Sequence, residues 1–195
     1  MSKTFKYIRW SAINSWSTST LSVFSSTNVL SCIIKEDSTL SINYIGKDII
    51  GQLSSMIFLW KNSKNFDKYC SVKYVTYASI IQQLGFILEY NSFFITSDKY
   101  YILPFLGFCN VLKNISFIMI GATNAKNIRN ISPKNIGEMY MKVTTTNTLS
   151  STFGLLSGIF ILNIVPHQYI SNLIIPSLSF LSVYSMRKAT IIANK

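Results

Sequence analysis

The chain has one histidine, His167, and only seven acidic residues among 195. A lone imidazole cannot build a histidine-based metal cluster, and His167 reads as a solvent-facing loop residue rather than a catalytic one. The three cysteines, Cys32, Cys70 and Cys109, have no C-x-x-C spacing and leave one over, which argues against a zinc site or a disulfide framework. No Walker loop and no G-x-G-x-x-G occurs. Charged residues make up 13% of the chain, about half the soluble norm. These absences exclude most nucleotide, metal and triad chemistry. No enzyme is expected; no metal is indicated, and cofactors are left unassigned.

What remains is apolar and basic. Hydrophobic residues make up 49%, and 18 Lys and Arg face the seven acids. Such a balance suits nucleic acid or an anionic membrane, and the placement of the charges decides between them. Six weakly polar segments alternate with charged connections. They run at Trp10–Ile34, Asn43–Trp60, Tyr74–Thr96, Tyr100–Asn127, 143–165 and 168–186. Lys35, Glu36 and Asp37 separate the first pair, Asp98-Lys99 marks a turn before the fourth, and Pro166-His167 divides the last two. Ser132-Pro133 reads as a helix start, and Pro176 predicts a kink.

Alternate connections hold Lys3, Lys6, Arg9, then Lys61, Lys64, Lys68, Lys73, then Lys126, Arg129, Lys134, Lys142, and finally Arg187, Lys188, Lys195. These are fourteen of the 18 basic residues. The opposite connections hold Lys35 and Lys99. This is the positive-inside pattern, which a nucleic-acid-binding bundle has no reason to show. The expected fold is an all-α, polytopic membrane helical bundle of about six transmembrane helices, read as one domain over 1–195. Both termini are expected on the same, basic side. The partners expected are the lipid bilayer and a homo- or hetero-oligomer, with no nucleic acid. A basic, Ser-rich start also describes an organelle transit peptide, and that reading stays open.

The fourth segment organises the rest. Gly107, Asn110, Asn114 and Gly121 fall on one side of it, and Lys113-Asn114 stands near mid-depth. A charge there is costly and should face protein or a polar cavity. Other polar residues within spans are Asp48 and Gln52, with Ser55 on the same face, and Gln82 and Glu89, seven apart. The candidate ligand-binding set is therefore Asp48, Gln52, Gln82, Glu89, Asn110, Lys113 and Asn114. Along alternating spans rising about 1.5 Å per residue, Glu89 lies about 9 Å in depth from Lys113 and Asp48 about 12 Å. A Lys113–Glu89 contact is expected, direct or through Asn110 or water. Lys113 reads as a structural or snorkelling lysine rather than a Schiff-base one. In the fifth segment Asn147, Ser151, Gly154 and Gly158 form a small stripe, for packing within the bundle or for dimerisation.

Several runs together resemble the root UVB sensitive family. Lys113-Asn114-Ile115-Ser116-Phe117, preceded by Leu103-Pro104 and followed by Gly121-Ala122-Thr123, is similar to that family's core. Tyr7-Ile8-Arg9-Trp10, Lys47 to Leu53, Leu88-Glu89, Asn135 to Gly154 (through Glu138, Lys142 and Thr148) and Tyr184 to Ala189 follow in the family's order. Ile49 and Ser54 stand where the family pattern has glycine, and Asn124 where it has arginine. The resemblance implies a shortened member lacking the usual C-terminal extension. It implies an organelle-associated membrane protein (mitochondrion, plastid or endomembrane) linked to vitamin B6 homeostasis, with no established reaction.

Two functions follow. One is small-molecule binding or transport between spans, the ligand unknown; six spans are also the size of half a major-facilitator-type transporter. The alternative is a non-enzymatic membrane adaptor or assembly subunit, whose buried polar groups hold the bundle together. A soluble all-α enzyme is the third and weakest.

Overall fold

The computed structural model describes residues 2–34, 39–92 and 99–195. Few helix breakers interrupt the apolar segments, and among the described residues no strand forms. Six long helices result: α1 Lys3–Ile34, α2 Thr39–Asn62, α3 Ser71–Tyr90, α4 Lys99–Ile131, α5 Ile136–Ile164 and α6 His167–Asn194. A 3₁₀ turn, Ser63–Lys68, joins α2 to α3. The Lys35–Asp37 interruption, the end of the third segment at Thr96 and Asp98 of the turn lie outside the described residues.

One boundary differs from the sequence expectation. The fifth helix starts at Ile136, not at Ser132-Pro133. The Ser132 amide instead donates to the Ile128 carbonyl (3.0 Å), so Ser132 closes α4 rather than capping α5. α3 ends at Tyr90, where the Asn91 amide bonds back to the Ile87 carbonyl at 3.1 Å. In α6, a π turn over Ile170–Ile174 precedes Pro176. Proline has no amide to give the carbonyl four residues back and its ring crowds that carbonyl, so a wider turn accommodates it.

Contacts fix the helix directions. Ser11, Thr20 and Val23 of α1 meet Asn147, Gly154 and Gly158 of α5 in rising order, so these helices are parallel. Gly46 and Ile50 of α2 meet Leu103 and Gly107 of α4, also in parallel. α6 runs antiparallel to α1, with Trp10 edge-on to Tyr184 and Phe24 in one cluster with Ile175. α3 runs antiparallel to α4 and α6. Both chain ends thus lie at one end of the bundle, where Tyr7 packs among Ile128, Met139, Ala189 and Ala193. α1, α3, α4 and α6 form the centre, with α5 on the α1 flank and α2 on the α4 flank.

The interior is unusually polar and the exterior apolar. Ser182 of α6 donates to Asn14 Oδ1 (2.9 Å), accepts from Gln83 Nε2 (2.9 Å) and lies 3.1 Å from Thr18 Oγ1. Asn127 donates to Thr190 and accepts from Asn194. Outward, α2 exposes Ile49, Leu53, Met56 and Trp60, and α5 exposes Phe153, Leu156 and Phe160. α4, α5 and α6 are each long and apolar enough to cross a membrane. An apolar exterior of this extent is what a bilayer would cover.

The small stripe of α5 packs on α1. Asn147 donates to Ser11 Oγ (2.9 Å), Ser151 bonds Ser19, and the Gly154 carbonyl accepts from Thr20 Oγ1 (3.0 Å). A Cβ on Gly154 would strike the Trp16 carbonyl, and one on Gly158 would come within 2.8 Å of Val23 Cβ. A backbone carbonyl cannot rotate away, so Gly154→Ala must separate the helices. Gly154→Ala is expected to destabilise the protein by about 1–3 kcal/mol, the range for overpacking. A thermal unfolding curve in detergent identical to wild type would contradict this packing.

Candidate functional site

The site is built around Glu89, in the last turn of α3 and 1% exposed. Its Oε2 accepts from Lys113 Nζ of α4 at 2.6 Å, and its Oε1 accepts from Lys47 Nζ of α2 at 3.1 Å. Ser25 of α1 donates a hydrogen bond to Oε2. One carboxylate therefore ties four helices together. Lys47 lies eight residues inside α2, Lys113 fourteen inside α4, and Ser25 nine before the end of α1. At about 1.5 Å per residue these are depths of about 12 to 21 Å from the helix ends.

Glycines make the approach possible. A Cβ on Gly85 would sit 2.7 Å from Lys113 Cγ and 3.1 Å from the Cys109 carbonyl. Gly51 of α2 lies against the amides of Asn110 and Asn114. Asn110 Nδ2 donates to the Lys47 carbonyl (3.0 Å) and to Asp48 Oδ1 (2.9 Å). Asp48 lies 3.5 Å from Lys47 Nζ and is half exposed. The Lys113 ammonium also stands over the Phe86 ring, 5.4 Å from its centroid.

Beside this cluster an open cleft of about 290 Å³ lies between α1, α3 and α4. Thr18, Ser19 and Ser22 line one wall, Gln82 and Phe86 the floor, and Asn110, Lys113, Asn114 and Phe117 the other wall. Lys113 and Asn110 belong to both cluster and cleft.

Of the residues singled out from sequence, Asp48, Glu89, Asn110 and Lys113 meet in the cluster, and Gln82 and Asn114 line the adjoining cleft. Gln52 is exposed and lies outside both. On α2, Asp48 bonds Asn110 of α4 and Gly51 lies against Asn110 and Asn114, whereas Ser55 bonds back to the Gln52 carbonyl of its own helix. Gly107 and Asn114 face α2 as Asn110 does, whereas Gly121 is exposed with nothing near it. The Lys113–Glu89 contact is present and direct. Sequence reasoning missed Lys47, whose place beside Asp48 was the available signal, and Ser25, one hydroxyl among many in α1. His167 is exposed but opens α6, and its Nδ1 lies 2.7 Å from the Tyr90 hydroxyl.

The cluster also gathers runs far apart in sequence: Lys47-Asp48, Leu88-Glu89 and Lys113-Asn114. A family model described as the vitamin B6 photo-protection and homoeostasis domain matches residues 2–192. The chain belongs to this family. It is the root UVB sensitive family that those runs resemble. No curated protein and no solved structure gives a significant match. The match spans all six helices, so the family domain includes every element that contributes to the Glu89 cluster.

Charge deletion tests the cluster. Removing one partner of a buried pair leaves an uncompensated charge and costs about 3–5 kcal/mol. Glu89→Gln strands two lysines, whereas Lys113→Met leaves Glu89 with Lys47 and Ser25, so Glu89→Gln is expected to cost more. The double variant should be less damaged than the sum of the singles, with a coupling of about 0.5–3 kcal/mol. Strict additivity in a thermal-stability cycle would show that the two side chains do not act as a pair.

Proposed function

We propose that this protein binds, and as a membrane protein moves or presents, a small molecule of the vitamin B6 group, using the cleft beside Glu89 and Lys113. One observation carries the reading: a buried ion cluster held by four helices opens through Lys113 and Asn110 onto a cleft lined by polar side chains. A purely structural ion pair needs no such cleft. The family's description supplies the ligand class. The role is binding or transport without a chemical reaction.

The same proposal holds that all six helices cross the bilayer of an organelle, with the basic end and both termini on one side. α1, α2 and α3 are rich in Ser, Thr, Asn and Gln, and in α1 and α3 such groups bond to neighbouring helices, as Thr20 does to α5 and Gln83 to α6. Alternating helix directions and fourteen basic residues in the connections at one end support this. Cys70, exposed between the 3₁₀ turn and α3, reports that end. Amide hydrogen bonds from Lys73 and Val72 at the start of α3 pull its thiol below the ordinary range. It should therefore alkylate with a pH midpoint below that of a free thiol, from the basic side alone. Ser38→Cys, introduced with Cys32→Ser and Cys70→Ser, should label from the opposite side with an impermeant maleimide. Labelling of both positions from one side would refute six spans.

Binding is tested on protein in nanodiscs of neutral lipid. Saturable binding of a B6 vitamer is expected. Gln82→Leu with Asn114→Leu should weaken it at least tenfold while the melting temperature stays within a few degrees. If the double variant lowers stability and leaves binding intact, the polar residues serve assembly and the adaptor reading replaces this one.

A further inference from the structure

We propose that the cleft takes its ligand in phosphorylated, anionic form, with the phosphate on Lys113 and the flat ring against Phe117. This deepens the binding reading above and rests on it. The ionic groups near the cleft are Lys47, Asp48, Glu89 and Lys113, and they are not equally placed. Glu89 is 1% exposed and sits behind Lys113. Asp48 and Lys47 lie on the α2 side of Asn110 and do not line the cleft. The cleft wall therefore presents one cation and no carboxylate.

The neutral lining matches an acceptor-rich ligand. An ammonium has three N–H donors, and of the Lys113 donors one is engaged by Glu89. Gln82 is 6% exposed, lines the cleft, and has no hydrogen-bond partner among the described residues. Its amide therefore opens onto the cleft, where it is free to hydrogen-bond a polar group of a ligand. Asn114 and Ser22 line the same space and likewise have no partner among the described residues. Asn110 does not count as a donor, because both N–H bonds of its amide are taken by Lys47 and Asp48. One cation, two amides and a hydroxyl suit the three terminal oxygens of a phosphate monoester better than the single acceptor of an alcohol. Phe117, 69% exposed, offers a free ring face, whereas the Phe86 ring is already covered by Lys113.

The experiment compares pyridoxine 5′-phosphate with pyridoxine by titration calorimetry on protein in phosphatidylcholine nanodiscs. Neither compound has an aldehyde, so imine formation with surface lysines does not interfere. The phosphate ester is expected to bind at least tenfold more tightly. Lys113→Met should erase that preference, and Lys113→Arg should retain it. In the unaltered protein, millimolar inorganic phosphate should weaken the apparent affinity for the ester several-fold, a result that needs no variant to fold. Equal affinities for ester and alcohol would overturn the anion assignment and leave the binding reading standing. Binding of neither would overturn both. A preference that survives in folded Lys113→Met, or no competition by phosphate, would remove the phosphate from Lys113. Displacement of the ester by a few mole per cent phosphatidic acid, with the alcohol unaffected, would assign the phosphate site to lipid and overturn the soluble ligand.

Discussion

The buried carboxylate of Glu89 is the constraint on which the bundle depends. An ionised carboxylate away from water is tolerable only when its oxygens are fully engaged. Here Oε2 takes Lys113 and Ser25, and Oε1 takes Lys47. Each partner comes from a different helix, so satisfying one charge fixes the register of α1, α2 and α4 on α3. Hydrophobic contact alone is non-directional and would let these helices slide by a turn at modest cost. The ion cluster does not allow that, because a slide of one turn, about 5.4 Å, would break both lysine contacts.

Small residues are the second half of the same design. A lysine stem and two asparagine amides fit between helices only where the facing residue has no side chain, at Gly85 and Gly51. The other flank repeats the device with Gly154 and Gly158 against α1, but there the space is filled by a carbonyl and a valine. Close approach thus serves pure packing on the α5 side and charge burial on the α2 side. The weak hydropathy of the chain follows. Residues that would be surface groups in a soluble protein here form the centre, and Ile, Leu and Phe form the rim.

Much of this was legible in the sequence. Interruptions by charge and by Pro166 separate the six segments, and their alternation in basic content gives the direction of each helix. The Lys113–Glu89 contact was reachable by counting rises along opposed helices. Azimuth was harder. Adjacent positions on a helix point about 100° apart, and nothing in the sequence says that the Lys47 side chain turns to Glu89 of α3 while that of Asp48 turns to Asn110 of α4. Asp48 joins the cluster through Asn110, whereas Gln52, one turn on, is exposed and outside it, and Lys47 beside Asp48 belongs in it. α3 ends at Tyr90, so Glu89 stands at the tip of a short helix against the interiors of three longer ones. Ser25 carried no signal, since a hydroxyl becomes distinctive only when a carboxylate faces it.

The same geometry bears on the departures from the family pattern. Ile49, where the pattern has glycine, is exposed on the outer face of α2. Asn124, where it has arginine, accepts from the Tyr7 hydroxyl at 3.2 Å, about eleven residues along α4 from Lys113 and toward the end that holds the termini. At about 1.5 Å per residue that is about 16 Å from the ion cluster. Ser54 is half-buried, nearly two turns from Lys47. None of the three contacts Glu89. Glu89 itself is held by Lys47 and Lys113. The interaction that sets the helix register therefore does not run through Ile49, Ser54 or Asn124.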